Sequence, residues 1–325
     1  MKRNKRLWFL TGLLLFAVAV LTLIMTVGQK NEKKSYTVSV IVNNSGSNRW
    51  TSLKEGVEAA AKDYHIRLKY VAAGEFWGIQ NELEIISKEV ESGVDGVIVQ
   101  MYASDGVYEK LEPLLPKEKC VLMENDITPE EYYQTVGPDN KELGEALAER
   151  ICQDFGEELK GKTVGILSGN TGQLALRQRL DGLQMKLLEA GAQIQWQLAE
   201  MGRSPDEKLF EENWSQGADI VVALENDETE RAVDYMEENP EDVSGCALYG
   251  IGNSEKIVYY LDQGVIQALL VPNEFHMGYQ SVEELAMKLG YHATEKRNVT
   301  TGYLLIDKGT LYDAANQKIL FPIVQ

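Results

Sequence analysis

From Tyr36 onward the chain keeps one rhythm: a short apolar run, a polar turn, an amphipathic stretch, then the next apolar run. "YTVSVIV", "DGVIVQM", "CVLMEND", "KTVGILSG", "ADIVVALEND", "GCALYGIG" and "VIQALLVPN" supply the runs. "TSLKEGVEAAAKDY", "GIQNELEIISKEVESG", "KELGEALAERICQDF" and "LALRQRLDGLQMKLLEAG" lie between them. Unbroken apolar runs of about four to six residues are strands covered on both faces, and helical cover makes their sheet parallel. In the second helical stretch Leu83, Ile86 and Val90 share one face, which is the stripe that would sit on the sheet. Roughly ten such units exceed one compact open sheet and do not match an eightfold barrel, so the pattern predicts two doubly wound lobes.

In such sheets ligands bind beyond the carboxyl ends of the strands. Six strand ends are polar in a similar way: "VNNSGSNRW", "VQMYASD", "MENDIT", "LSGNTG", "LENDET" and "YGIGNS". Asn, Gly, Ser and Asp are also ordinary turn residues. If the topology makes these ends converge, they line a cleft rich in hydrogen-bonding groups.

The first 35 residues stand apart from this pattern. Lys2, Arg3, Lys5 and Arg6 precede an uncharged run from Leu7 to Val27. Those residues, about 21 at 1.5 Å each, make roughly 31 Å of helix, enough for a hydrocarbon core of about 30 Å. A cleaved signal has a shorter apolar region and a small-x-small site, whereas "TLIMTVGQK" offers neither that site nor a cysteine for a lipid. The expectation is a retained single-pass anchor, residues 7–27 within a 1–35 segment of basic tip, anchor and linker. The basic side stays cytoplasmic and the body lies outside the cell membrane.

Residues 1–35 carry seven Lys/Arg and one Glu, which leaves 25 basic against 49 acidic residues, a net of −24, in the body. A surface of that sign repels nucleic acid, whose phosphates need clustered Lys and Arg. Cys120, Cys152 and Cys246 are too few for a disulfide scaffold; three free thiols is the simplest reading, with one pair left open. His65, His276 and His292 have no metal-ligand spacing, and "GILSGNTG" matches neither phosphate-binding glycine pattern. No nucleophile–base set stands out. The expectation is a binding protein with no catalytic residue, metal or cofactor, against an alternative of an enzyme on a small polar metabolite.

Six segments in order, "SNRWTSLKEGVEAAAK", "GVDGVIVQMYASD", "TVGPDNKELGEALAE", "LALRQRLDGLQ", "VVALENDETERAV" and "GVIQALL", make the chain resemble the ribose-binding-type periplasmic binding proteins. Their superfamily includes the ligand domains of lactose-repressor-like regulators. The resemblance implies two Rossmann-like α/β lobes joined by three hinge crossings, near Gly137–Asp139, Val271–Asn273 and Gly302–Leu305. One lobe would be 36–137 with 273–302, the other 138–272 with 303–325.

It further implies a ligand site. Trp50 would stack on a sugar ring, with Ser47 and Arg49 beside it; its alternative is a hydrophobic staple for the following helix. Gln100, Asn125 or Asp126, Arg177 and Asn226 match hydrogen-bonding positions of the family. Arg177 has the alternative of a salt bridge, and Asn226 that of a helix cap. Gly252, with Asn253 next to it, stands where the family usually has aspartate. Pro272, with Asn273 beside it, replaces a glutamine, and Asp126 replaces an arginine. These departures argue against ribose itself. The implied role is a monomeric solute-binding protein that presents a small polar ligand, a sugar first, to an ABC permease or a sensor histidine kinase. A sensor domain with no transport role is the variant of that reading.

Overall fold

The structure, a computed structural model, describes residues 12–13, 15–18, 20, 35–43, 50–71, 74, 76, 78–129, 132–200, 207–241, 243–290 and 298–320. The chain divides into a short unit, Met1–Ser35, and a large one, Tyr36–Gln325. The described residues between 12 and 20 are helical. Among the described residues no helix is long and apolar enough to cross a membrane, and most of the expected anchor lies outside them.

The large unit holds two six-stranded sheets. The first contains β1 (Thr37–Ile41), β2 (Arg67–Tyr70), β3 (Gly96–Val99), β4 (Cys120–Met123), β5 (Thr135–Gly137) and β11 (Val299–Thr300). Their order is β11-β5-β4-β3-β1-β2, all parallel. The second contains β6 (Thr163–Asn170), β7 (Gln193–Glu200), β8 (Ile220–Ala223), β9 (Ala247–Ile251), β10 (Ile266–Pro272) and β12 (Tyr303–Asp307). Its order is β12-β10-β9-β8-β6-β7, with only the edge strand β12 antiparallel. Setting β1–β5 against β6–β10 therefore superposes one sheet order on the other.

The helices are α1 (Thr51–Tyr64), α2 (Ile79–Glu91), α3 (Tyr108–Leu111), α4 (Asn140–Phe155), α5 (Leu174–Glu189), α6 (Glu207–Trp214), α7 (Asn226–Glu238), α8 (Glu255–Gln263), α9 (Glu274–Gly290) and α10 (Ala314–Leu320). The amphipathic stretch "SDGVYEKLEPLL" is helical only over α3, and Pro113 has no N–H with which to continue it.

Two-sided burial explains the uninterrupted strands. Along β3, Ile98 belongs to the cluster of Val38, Val40 and Val57, whereas Val97 and Val99 join Leu83, Ile86 and Leu122 on the other face. Along β8, Ile220 and Val222 go one way and Val221 and Ala223 the other. Successive strand residues point to opposite faces, so both faces must be apolar where both are covered.

After β5 the chain enters α4, which packs on α5 in the second lobe; after β10 it enters α9, which packs on α1 in the first. Each lobe thus carries a helix delivered from the other. Both pairs pack through glycines. A Cβ on Gly56 would lie 1.9 Å from the Phe275 carbonyl oxygen, and one on Gly278 would lie 2.4 Å from that of Leu53. The second lobe repeats this: Gly144 against the Arg179 oxygen at 2.0 Å, and Gly182 against that of Lys141 at 2.3 Å.

Candidate functional site

The polar ends of the two sheets meet. After β3 the chain runs through Gln100 to Ser104; facing it is the turn from Asn170 to Gln173 that opens α5. The Ser104 N–H donates to the Gly172 carbonyl at 3.0 Å, and Ser104 Oγ accepts from the Leu174 N–H at 2.8 Å. The Asn170 and Gln173 amides donate to the Tyr102 and Met101 carbonyls at 2.9 and 3.0 Å. Asn125 Oδ1 accepts from the Ala175 N–H at 3.2 Å. The first N–H groups of a helix lack intrahelical partners, and here the opposite lobe supplies acceptors for two of them.

Deeper, towards the first crossing, lies an ion pair. Arg179 is 1% exposed. Its Nε donates to Asn140 Oδ1 at 2.8 Å, and its two terminal nitrogens donate to the Leu224 carbonyl at 3.0 Å and Glu124 Oε1 at 2.5 Å. Glu124 Oε2 accepts from the Gln100 amide, and the Glu124 carbonyl accepts from Asn140 Nδ2 at 3.2 Å. One guanidinium therefore touches the end of β4, the start of α4 and the end of β8. Glu124 has φ 62°, and the Asn125 N–H donates across it to the Met123 carbonyl at 2.7 Å. Such a tight turn is strained for a residue with a side chain, and strain of this kind collects at functional sites.

The expected site residues divide accordingly. Gln100 and Asn125 lie in this network; the Asn125 amide also donates to the Met101 carbonyl at 2.7 Å. Asp126, half-buried, accepts from the Ile127 N–H at 2.8 Å. Asn226 does not cap α7. Its Oδ1 accepts from the Asn253 and Ser254 N–H groups at 3.3 and 3.2 Å, which fixes the turn after β9. Asn253 donates to Glu274 Oε2 at 2.9 Å, and so reaches from the second lobe to the helix that packs on the first. Asn273 Oδ1 accepts from the His276 N–H at 3.0 Å and caps α9. Ser47 and Arg49 lie outside the described residues.

Two expectations are corrected. Trp50 does not present its ring to the cleft: it is 1% exposed and belongs to the first-lobe core with Val40, Leu53 and Met277. Helix α9 returns from late in the sequence to cover it. Arg177 takes the salt-bridge alternative, pairing with Asp105 at 3.1 Å and donating to the Thr171 and Gly172 carbonyls at the rim. Residues two apart on a helix point about 200° from each other, so Arg179, not Arg177, enters the interior.

Sequence reasoning missed Glu124, Arg179, Ser104 and Glu82. Glu82 had a legible signal, since it precedes Ile86 by four on the apolar face of α2. Burial pushes its carboxyl up to about 8, against the lowering effect of a 3.0 Å hydrogen bond from the Tyr102 N–H to Oε2; Oε1 has no partner. The three cysteines are free thiols, which resolves the pairing left open. Burial pushes Cys120 up to about 12 and Cys246 up to about 11. Among the described residues no group of His, Cys, Asp and Glu is placed to hold a metal ion. The converging amides, hydroxyls and carboxylates suit a ligand whose groups both donate and accept hydrogen bonds.

The family model of the periplasmic binding protein domain matches residues 38–292. No curated protein matches the sequence. Solved structures match the fold. A carbohydrate-transporter solute-binding protein from Agrobacterium radiobacter, in complex with D-arabinose, is 16% identical with a TM-score of 0.76, covering 88% of this chain and 99% of its own. An ABC-transporter solute-binding protein from Agrobacterium vitis, bound to alpha-D-tagatopyranose, is 13% identical with a TM-score of 0.78 and covers 88% and 99%. A chain of the XylFII–LytSN complex is 15% identical with a TM-score of 0.70 and covers 85% and 99%.

Proposed function

The chain belongs to the periplasmic binding protein domain family, and on that premise we propose that it captures a small polar ligand, a sugar before other classes, between its lobes. The observation that carries this reading is the meeting of the polar strand ends of the two sheets, where Ser104 and Asn125 on one side accept from the Leu174 and Ala175 N–H groups on the other. A sugar hydroxyl both donates and accepts, so amide and carboxylate side chains read it equally well. The sugar complexes of the two Agrobacterium proteins support the same class. The role is binding rather than catalysis.

The apolar run from Leu7 to Val27 would hold the protein in the membrane with its body outside. There it would present ligand to an ABC permease or report it to a sensor kinase. The occurrence of this fold in the XylFII–LytSN complex supports a protein partner. A thermal-shift screen of the full-length chain against aldopentoses, aldohexoses, ketoses and polyols tests the ligand class. One of these should raise Tm in a dose-dependent way, and no shift across the whole set overturns the sugar reading.

A further inference from the structure

The two lobes correspond at their closest helix contacts. Gly278 meets the Leu53 carbonyl and Gly56 meets that of Phe275; in the other lobe Gly144 meets the Arg179 carbonyl and Gly182 meets that of Lys141. Arg179 therefore holds the position that Leu53 holds in the first lobe, and both are 1% exposed. Glu124 and Gly252 correspond in the same way. Each follows the fourth strand of its own sheet, and each N–H donates to the fifth strand, to Val136 at 2.8 Å and Leu270 at 3.1 Å. Both have positive φ, 62° and 154°.

Where one copy of this arrangement has leucine and glycine, the other has an arginine and a glutamate bonded to each other. Packing alone does not call for the charged version. Leucine fills the first-lobe position without desolvating a cation, and glycine takes a positive φ without strain. The charged version adds a bond between the lobes, because Glu124 lies on the first sheet and Arg179 on a helix of the second. Asn140 joins them at the crossing, accepting from Arg179 and donating to Glu124. The seam from Ser104 to Leu174 and from Asn125 to Ala175 continues this closure with the protein's own groups.

We propose that the Glu124–Arg179 pair is a closure pin, an interlobe bond built into one of two equivalent places, which weights the protein toward the closed arrangement before any ligand contributes. A ligand then shifts an equilibrium that already leans its way, and needs less differential affinity to complete closure. The inference goes beyond the identity of the ligand and does not depend on it.

Hydrogen exchange on the ligand-free full-length chain tests the pin, because the Leu174 and Ala175 amides are bonded only to the opposite lobe in the closed arrangement. They should be protected in the unaltered chain. The double variant Glu124→Gly with Arg179→Leu carries the residues of the other lobe and leaves no lone buried charge. In it these two amides should exchange at least about tenfold faster while β3 and β8 keep their protection. Unchanged exchange at Leu174 and Ala175 in that variant overturns the proposal, as does exchange at unstructured rates in the unaltered chain. If the double variant does not fold, Arg179→Lys retains the charge without the fork; faster exchange at the same amides supports the pin, and an unchanged rate overturns it.

Discussion

The indole N–H of Trp50 donates to the Asn43 carbonyl at 3.0 Å, and Asn43 Oδ1 accepts from the Phe76 N–H at 2.7 Å. Trp50 thereby ties the end of β1 to the start of α1 and to the segment leading into α2. Asn43 is the joint through which all three are held. A large aromatic at the mouth of a strand is here a core residue with a polar handle, the usual arrangement for a buried tryptophan.

Replacing Trp50 with alanine should therefore cost stability rather than affinity. Trp→Ala in a core costs about 3–5 kcal/mol. In a domain of this size that lowers Tm by roughly 10 °C. The dissociation constant of the remaining folded protein for its ligand should change less than about threefold. Calorimetry and titration of the same variant decide the matter: a large affinity loss with an unchanged Tm would return Trp50 to the ligand site.

Two lobes of parallel sheet were legible because each strand announces itself as a short apolar run, a local signal. The side chains of the site were not, because their directions depend on distant events. Trp50 is covered by α9, more than two hundred residues later in the chain. Which arginine of "LALRQR" turns inward depends on where α4 lies against α5, which Gly144 and Gly182 set from either side. Glu124 is a polar residue in a polar turn, and nothing local separates it from Asn125 or Asp126. The duplication that exposes it is one of spatial position, so it does not show in the sequence.

The glycine contacts predict sharp position dependence. Gly144→Ala and Gly278→Ala each drive a Cβ against a backbone oxygen, at 2.0 and 2.4 Å before relaxation. Backbone cannot swing aside as a side chain can, so the paired helices must separate, at a cost of about 1–3 kcal/mol or more. Gly302→Ala meets nothing within 4 Å and should stay within about 0.5 kcal/mol of the parent. Denaturant midpoints for the three variants check the ranking, and equal losses at all three would contradict it.

Glu82 predicts a pH slope of defined sign. Burial, partly offset by the Tyr102 N–H, raises its carboxyl from 4.5 to about 8. Below 4.5 the group is protonated both folded and unfolded and costs nothing. Between 4.5 and about 8 the unfolded chain releases the proton and the folded protein keeps it, so stability falls as pH rises and the loss is complete above 8. At 1.36 kcal/mol per unit the loss approaches about 5 kcal/mol. Glu82→Gln should flatten this part of the stability–pH curve and be the more stable form at pH 8. Parallel curves for parent and variant would show that Glu82 is not the titrating group.

The two arginines of α5 give the sharpest contrast. Arg177 pairs with Asp105 at the surface, their side chains 30% and 67% exposed. Exposed pairs contribute about 0.2–1 kcal/mol and are screened by salt. Arg177→Ala should therefore lower stability by less than about 1 kcal/mol, and by less still at high salt. Arg179 is buried with Glu124, and removing it strands a carboxylate in the interior together with the Asn140 and Leu224 acceptors. Breaking a buried pair from one side costs about 3–5 kcal/mol. Arg179→Ala should lose that much with little relief from salt, and a second change, Glu124→Gln, should recover part of it by removing the stranded charge. Urea midpoints at low and high salt for the three variants separate these cases. Comparable losses for Arg177→Ala and Arg179→Ala, or no recovery in the double variant, would mean that the buried arrangement of Glu124 and Arg179 does not describe the protein in solution.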